Sequence, residues 1–145
     1  MNKRTLPIYL FLFLMTLTFV SCKKEKNTKE LLIGRWNVVF EKETRYQNNV
    51  ITNDDSWNNP PGDFVLEFFA DGTGKFYEKT VVSSTFMWEL TVEEKLIVTI
   101  NSQSPNEVEF TVNESSLTWK MTIIFNLNGI EYKIVEYKEG NRAKS

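Results

Sequence analysis

Few residues in this chain could do chemistry. Its 145 residues include no histidine and one cysteine, Cys22. Histidine is the commonest general base and neutral metal ligand, so Ser-His and Cys-His nucleophile pairs are excluded. One cysteine rules out an intrachain disulfide and a multi-thiolate zinc site. Carboxylates and hydroxyls remain. Glu93, Glu94, Glu107 and Glu109 stand at turns and on outer faces, with no spacing that would set two carboxylates across a cleft. Ser83, Ser84, Ser115 and Ser116 lie in turns without a G-x-S-x-G elbow. Asp54 and Asp55, among Asn48, Asn49, Asn53, Asn58 and Asn59, offer the hard oxygens calcium takes, but not at EF-hand spacing. The chain is therefore expected to bind rather than catalyse, with no cofactor and no metal.

The place of the lone thiol suggests a use for it. Lys3 and Arg4 precede Leu6 to Val20, a run of 15 uncharged residues. That is short for a span of about 20 residues and fits the apolar core of a secretory signal peptide. Phe19-Val20-Ser21-Cys22 ends the run, and Lys23, Lys24, Glu25 and Lys26 follow at once. This stretch resembles the lipobox of bacterial lipoproteins. The resemblance implies cleavage after Ser21 and a thioether-linked diacylglycerol on Cys22. Two or three acyl chains, at about 0.8 kcal/mol per buried methylene, hold a protein stably on a bilayer. The expected organisation is a signal peptide at 1–21, a lipidated tether at 22–29, a folded domain at 30–138 and a polar tail at 139–145. The expected location is the Gram-negative envelope, at the outer membrane, as a monomer.

All 19 acidic residues and 15 of the 17 basic ones lie beyond residue 21, so the mature chain carries a formal net charge of about −4. A nucleic-acid partner needs a basic face, so this class is excluded.

The elements that must position any site read almost wholly as strands. Asn27 with Glu30 forms a capping-box pattern, predicting a short helical turn over 29–33 that Gly34 ends. Period two then takes over. Trp36, Val38 and Phe40 share one face, with Glu41 and Glu43 on the other. Phe64, Leu66 and Phe68 repeat the pattern before the Asp71-Gly72 hairpin signal. Phe86-Trp88-Leu90, Leu96-Val98-Ile100, Val108-Phe110-Val112, Leu117-Trp119-Met121-Ile123 and, after Asn128-Gly129, Ile130-Tyr132-Ile134 follow. Short turns force antiparallel neighbours, and one apolar face per strand needs one core. An all-β, eight-stranded antiparallel up-and-down barrel is expected, with a β-sandwich as the alternative.

Leu31-Leu32-Ile33-Gly34-Arg35-Trp36 resembles the lipocalin opening, a helical turn and then Gly-x-Trp. Phe68-Phe69-Ala70-Asp71-Gly72-Thr73-Gly74, Phe86-Met87-Trp88 and Leu117-x-Trp119 are similar to stretches of small bacterial lipocalin-like lipoproteins. The resemblance covers residues 30–138. It implies a barrel closed at one end by the Gly34/Trp36 motif. It also implies a basic residue of the last strand against Trp36, for which Lys133 and Lys138 are the candidates. The Thr-Asp-Tyr motif and disulfide cysteines of larger lipocalins are absent.

Residues 47–62 read as the one long loop, laid over the barrel mouth by the same resemblance, with Trp57 either a lid or contact residue or a plug packed against the barrel rim. Phe40, Phe64, Phe68, Phe86, Trp88, Phe110, Trp119 and Tyr132 are expected to point inward. Either they line a pocket for a small apolar or amphipathic ligand, or they fill the barrel and leave its surface to dock another envelope protein. The ligand-binding reading leads on the resemblance. Close packing favours the filled interior.

Overall fold

The structure, a computed structural model, describes residues 26–143. Cys22, the expected leader 1–21 and the first residues of the expected tether lie outside them. One helix, α1 (Thr28–Leu32), precedes nine strands: β1 (Gly34–Gln47), β2 (Val50–Asn58), β3 (Phe64–Phe68), β4 (Thr73–Glu78), β5 (Val81–Leu90), β6 (Leu96–Ile100), β7 (Asn106–Val112), β8 (Ser116–Leu127) and β9 (Ile130–Arg142). The capping box forms as its residues predict. Asn27 Oδ1 accepts from Glu30 N at 2.9 Å, and Glu30 Oε2 from Asn27 N at 3.2 Å.

Every strand pairing is antiparallel. β1 and β3 to β9 pair in sequence, and β9 returns to β1 over Trp36–Arg142 to Gln47–Tyr132. This closure makes the eight-stranded barrel expected from the pattern and excludes the sandwich.

Several expectations need correction. Residues 47–62 are not one loop. β1 runs on to Gln47, turns through Asn48 and Asn49, both at positive φ (48° and 62°), and returns as β2. Asparagine tolerates that left-handed backbone, which two-residue hairpins require. β2 is exposed along nearly its whole length, so it shows no apolar alternation. The tail also differs. β9 continues to Arg142, so 139–142 is strand.

One β-bulge reorganises the interior. In the β1–β9 ladder Val38 faces Gly140 and Phe40 faces Glu139, leaving Val39 as an extra residue. Side chains alternate strictly, so one extra residue swaps the two faces. Phe40 therefore stands outside, edge-on to Tyr137 at 6.3 Å. Glu41 stands inside, opposite Lys138. Both assignments reverse the plain period-two reading.

The core is continuous from Leu32 of α1 through Trp36, Val38, Leu66, Phe68, Phe76, Phe86, Trp88, Leu96, Val98, Val108, Leu117, Trp119 and Met121. Gly74 leaves room for one of its rings: a Cβ there would lie 2.1 Å from Phe86 Cζ, far inside contact distance. Gly74→Ala is expected to lower stability by about 1–3 kcal/mol through overpacking. Urea denaturation checks this, and a loss under about 0.5 kcal/mol would show that Phe86 has another rotamer to move into.

Beyond the barrel rim four strands continue together. β2, β1 from residue 40, β9 up to residue 138 and the last six residues of β8 form a projecting sheet, the wing.

Candidate functional site

The closed end is built from the two ends of the described segment. Trp36 is fully buried and its Nε1 donates to Leu32 O at 2.9 Å. The Arg142 guanidinium lies 3.9 Å above the centre of the Trp36 ring. It donates from Nη1 to Ile33 O at 2.7 Å and from Nη2 to Leu31 O. These are the carbonyls a short helix leaves without partners at its end. Burial pulls the Arg142 pKa below its ordinary value, though a guanidinium stays charged at neutral pH. The basic partner of Trp36 is thus Arg142 and neither Lys133 nor Lys138. Lys133 sits over Tyr46 on the wing, 4.4 Å from the ring centre. Lys138 pairs with Glu41. A Gly-Asn-Arg ending reads as a solvated tail, so the sequence hid this residue.

Gly34, at φ 124°, turns the chain from α1 into β1. A side chain there would meet Arg142 Nη1 at 2.8 Å. The Gly34/Trp36 pair therefore serves the Arg142 clamp twice, once by making room and once as its platform.

Above this plug the interior is aromatic and touching. Phe68 meets Phe86 at 5.3 Å and Trp88 at 5.4 Å, both near-perpendicular. Phe76 meets Phe86 at 4.9 Å. Trp119 lies 6.2–6.3 Å from Phe68, Phe76 and Phe86. The near-perpendicular contacts among these, such as Phe68–Phe86 and Phe68–Trp88, add about 0.5–1.5 kcal/mol each beyond area burial. Trp88 Nε1 donates to Thr73 O at 3.0 Å. Trp119 Nε1 is buried with no hydrogen-bond partner, and its neighbours are rings. Of the expected inward aromatics, Phe68, Phe86, Trp88 and Trp119 are in this core, while Phe64 and Phe110 are half-buried against it. Tyr132 is elsewhere, stacked on Phe125 in the wing at 5.3 Å and 11°.

At the open end the filling turns polar. Glu41 is 4% exposed and receives Lys138 Nζ on one oxygen and Asn59 Nδ2 on the other, the latter at 2.6 Å. Lys138 also lies 3.8 Å from Glu136 and 5.5 Å from the centre of the Phe64 ring. A charged layer therefore sits directly on the oily one.

The wing continues from this layer. Its inner face carries Trp57, Glu41, Glu43, Arg45, Tyr132, Ile134, Ile123 and Phe125, as the registers require. Its outer face carries Tyr46, Lys133 and Ile124 in one row. Six of the ten exposed large apolar side chains among the described residues belong to the wing: Val50, Ile51, Trp57, Ile124, Phe125 and Leu127. That clustering marks the wing as the candidate surface. Asp54, on the outer face, accepts from Thr44 Oγ1 at 2.6 Å and pairs with Lys42 at 3.1 Å. These contacts hold its carboxyl below the usual range, the Thr44 hydrogen bond most of all. Asp55 bonds Asn53 at 2.7 Å on the other face. The two aspartates therefore do not converge, and no cluster of metal-ligating side chains occurs among the described residues.

No family model matches the chain, and no curated protein matches it.

Several cavities open on the outside of the molecule. One of about 710 Å³ is lined by Arg35, Asn37, Val65 and Tyr77 with Arg142 and Ala143. Another of about 220 Å³ lies beside Met87 and Ile97. The second is also lined by the core residue Trp88, and one of about 250 Å³ reaches Gly74 and Phe86.

Proposed function

We propose that this is a lipid-anchored, lipocalin-like protein of the Gram-negative envelope that works without catalysis, by docking another envelope protein on its wing. The observation that supports this is the filled interior. Eight-stranded barrels are just wide enough for side chains to fill, and here the rings from Trp36 to Trp119 fill it, under a charged Glu41–Lys138 layer. A small apolar ligand, the other reading, would have to displace that core. Six of the ten large apolar side chains left exposed among the described residues are on the wing instead. Trp57 is one of them, 42% exposed, and aromatic anchors of this kind dominate protein interfaces.

Two measurements test the reading. Native mass spectrometry of the detergent-extracted protein is expected to show no stoichiometric small molecule, and finding one would overturn the docking proposal. A photo-cross-linking residue at Trp57 is expected to give a discrete envelope-protein adduct, whereas one at exposed Met87 on the barrel wall gives none. Equal labelling at both sites would remove the wing as the docking face. For the anchor, Cys22→Ser is expected to release most of the protein from the membrane fraction. Unchanged membrane retention would end that part of the proposal.

A further inference from the structure

Among the described residues the wing has two free edges, and they differ. β2 pairs with β1 alone, so its other side is unpaired along Val50–Asn58. β8 pairs with β7 only from Leu117 to Met121, so Thr122 to Leu127 bond β9 alone. An unpaired edge offers a row of backbone donors and acceptors to any strand that approaches. Natural proteins usually blunt such edges with lysine, proline or bulges. The β2 edge carries Asp54 and Asp55. The β8 edge carries no guard: Thr122-Ile123-Ile124-Phe125-Asn126-Leu127 has no charge and no proline, and charge is absent from Met121 to Ile130. Ile124 is 58% exposed, Phe125 42% and Leu127 55%.

We propose that this β8 edge pairs with the same edge of a second copy, antiparallel, about a twofold axis through Ile124. The argument is electrostatic and geometric. The chain is acidic, so two copies repel each other where their acids meet, as they would at β2. The stretch 121–130 lets a like-charged copy approach with no charge opposite another. A twofold normal to the sheet preserves its faces, so Ile124 meets Ile124, Ile123 meets Phe125, and Thr122 meets Asn126. Apolar side chains thus oppose apolar ones and polar oppose polar, the pairing that stabilises antiparallel ladders. The two four-stranded wings become one eight-stranded sheet. This pairing does not depend on the docking reading, because a protein that bound only a small molecule would carry the same edge.

The full chain in detergent tests it by light scattering and by oxidative cross-linking. The wild type is expected to be a dimer. Ile124→Lys sets like charges face to face at the axis, and is expected to raise the dissociation constant about tenfold or more, while Met87→Lys on the barrel wall leaves it unchanged. Ile124→Cys is expected to form a self-disulfide well above the Met87→Cys background, with the wild type as control for Cys22. A monomeric wild type, a dimer indifferent to Ile124→Lys, or an adduct of the Ile124→Cys variant with a different protein would each overturn the proposal. Circular dichroism of both lysine variants separates lost pairing from lost folding.

Discussion

Trp36→Ala is expected to lower folding stability by about 3–5 kcal/mol, the range for removing a fully buried large aromatic. Against a typical total of about 5–15 kcal/mol, that takes between about a fifth and all of the folding stability. The loss has three sources. The indole is fully buried, Leu32 O loses its donor, and Arg142 loses the ring on which it lies. Arg142→Ala removes the lid but leaves the ring, so it should lower stability less, by about 1–3 kcal/mol. Urea denaturation of both variants checks the order. A Trp36→Ala loss below that of Arg142→Ala would mean that the guanidinium, not the indole, closes the barrel.

The second large effect is at the mouth. Glu41→Leu leaves Lys138, its side chain 13% exposed, with only Glu136 at 3.8 Å, while Lys138→Met leaves Glu41 with no cation and only the Asn59 hydrogen bond. Removing one member of a buried pair typically lowers stability by about 3–5 kcal/mol, because the other charge stays uncompensated. Replacing both with apolar residues of similar size is often neutral or stabilising. The double variant Glu41→Leu/Lys138→Met is therefore expected to be at least as stable as either single one, and within about 1 kcal/mol of the parent. A double variant as unstable as the two single losses added together would show that the two side chains act independently. If the parent-like double variant also loses the Trp57 photo-adduct, the charged layer serves docking as well as folding.

The barrel was legible because its signals are local and repeated. Inward positions such as Leu66, Phe68, Phe86, Trp88, Leu117 and Trp119 alternate with polar residues, and Asp71-Gly72 and Asn128-Gly129 mark their turns. Three things were not legible, each for a physical reason. β2 is solvated on both faces, so composition alone made it resemble a loop. The Val39 bulge is fixed by pairing with Gly140 and Glu139 of β9, far along the chain, and nothing near Val39 announces it. Arg142 acts through a ring and two carbonyls contributed by residues at the opposite end of the domain. The candidate surface suffered from the same gap. Phe125 and Leu127 read as the ragged end of a core strand, and only the shorter reach of β7 shows that they are uncovered.

The two ends of the described chain leave the molecule together. Ala143 N donates to Arg35 O at 2.9 Å, and α1 is tied to the barrel base by Trp36 and Arg142. Any tension applied to the chain before residue 26 must enter through α1. It first loads the Trp36–Leu32 and Arg142 contacts. Beyond them it reaches β1, which is gripped on one edge by β3 and along most of the other by β9. A pull along β1 shears both ladders at once instead of unzipping them bond by bond. The domain thus resists tension that enters through α1, with the wing held at the far end as its free arm.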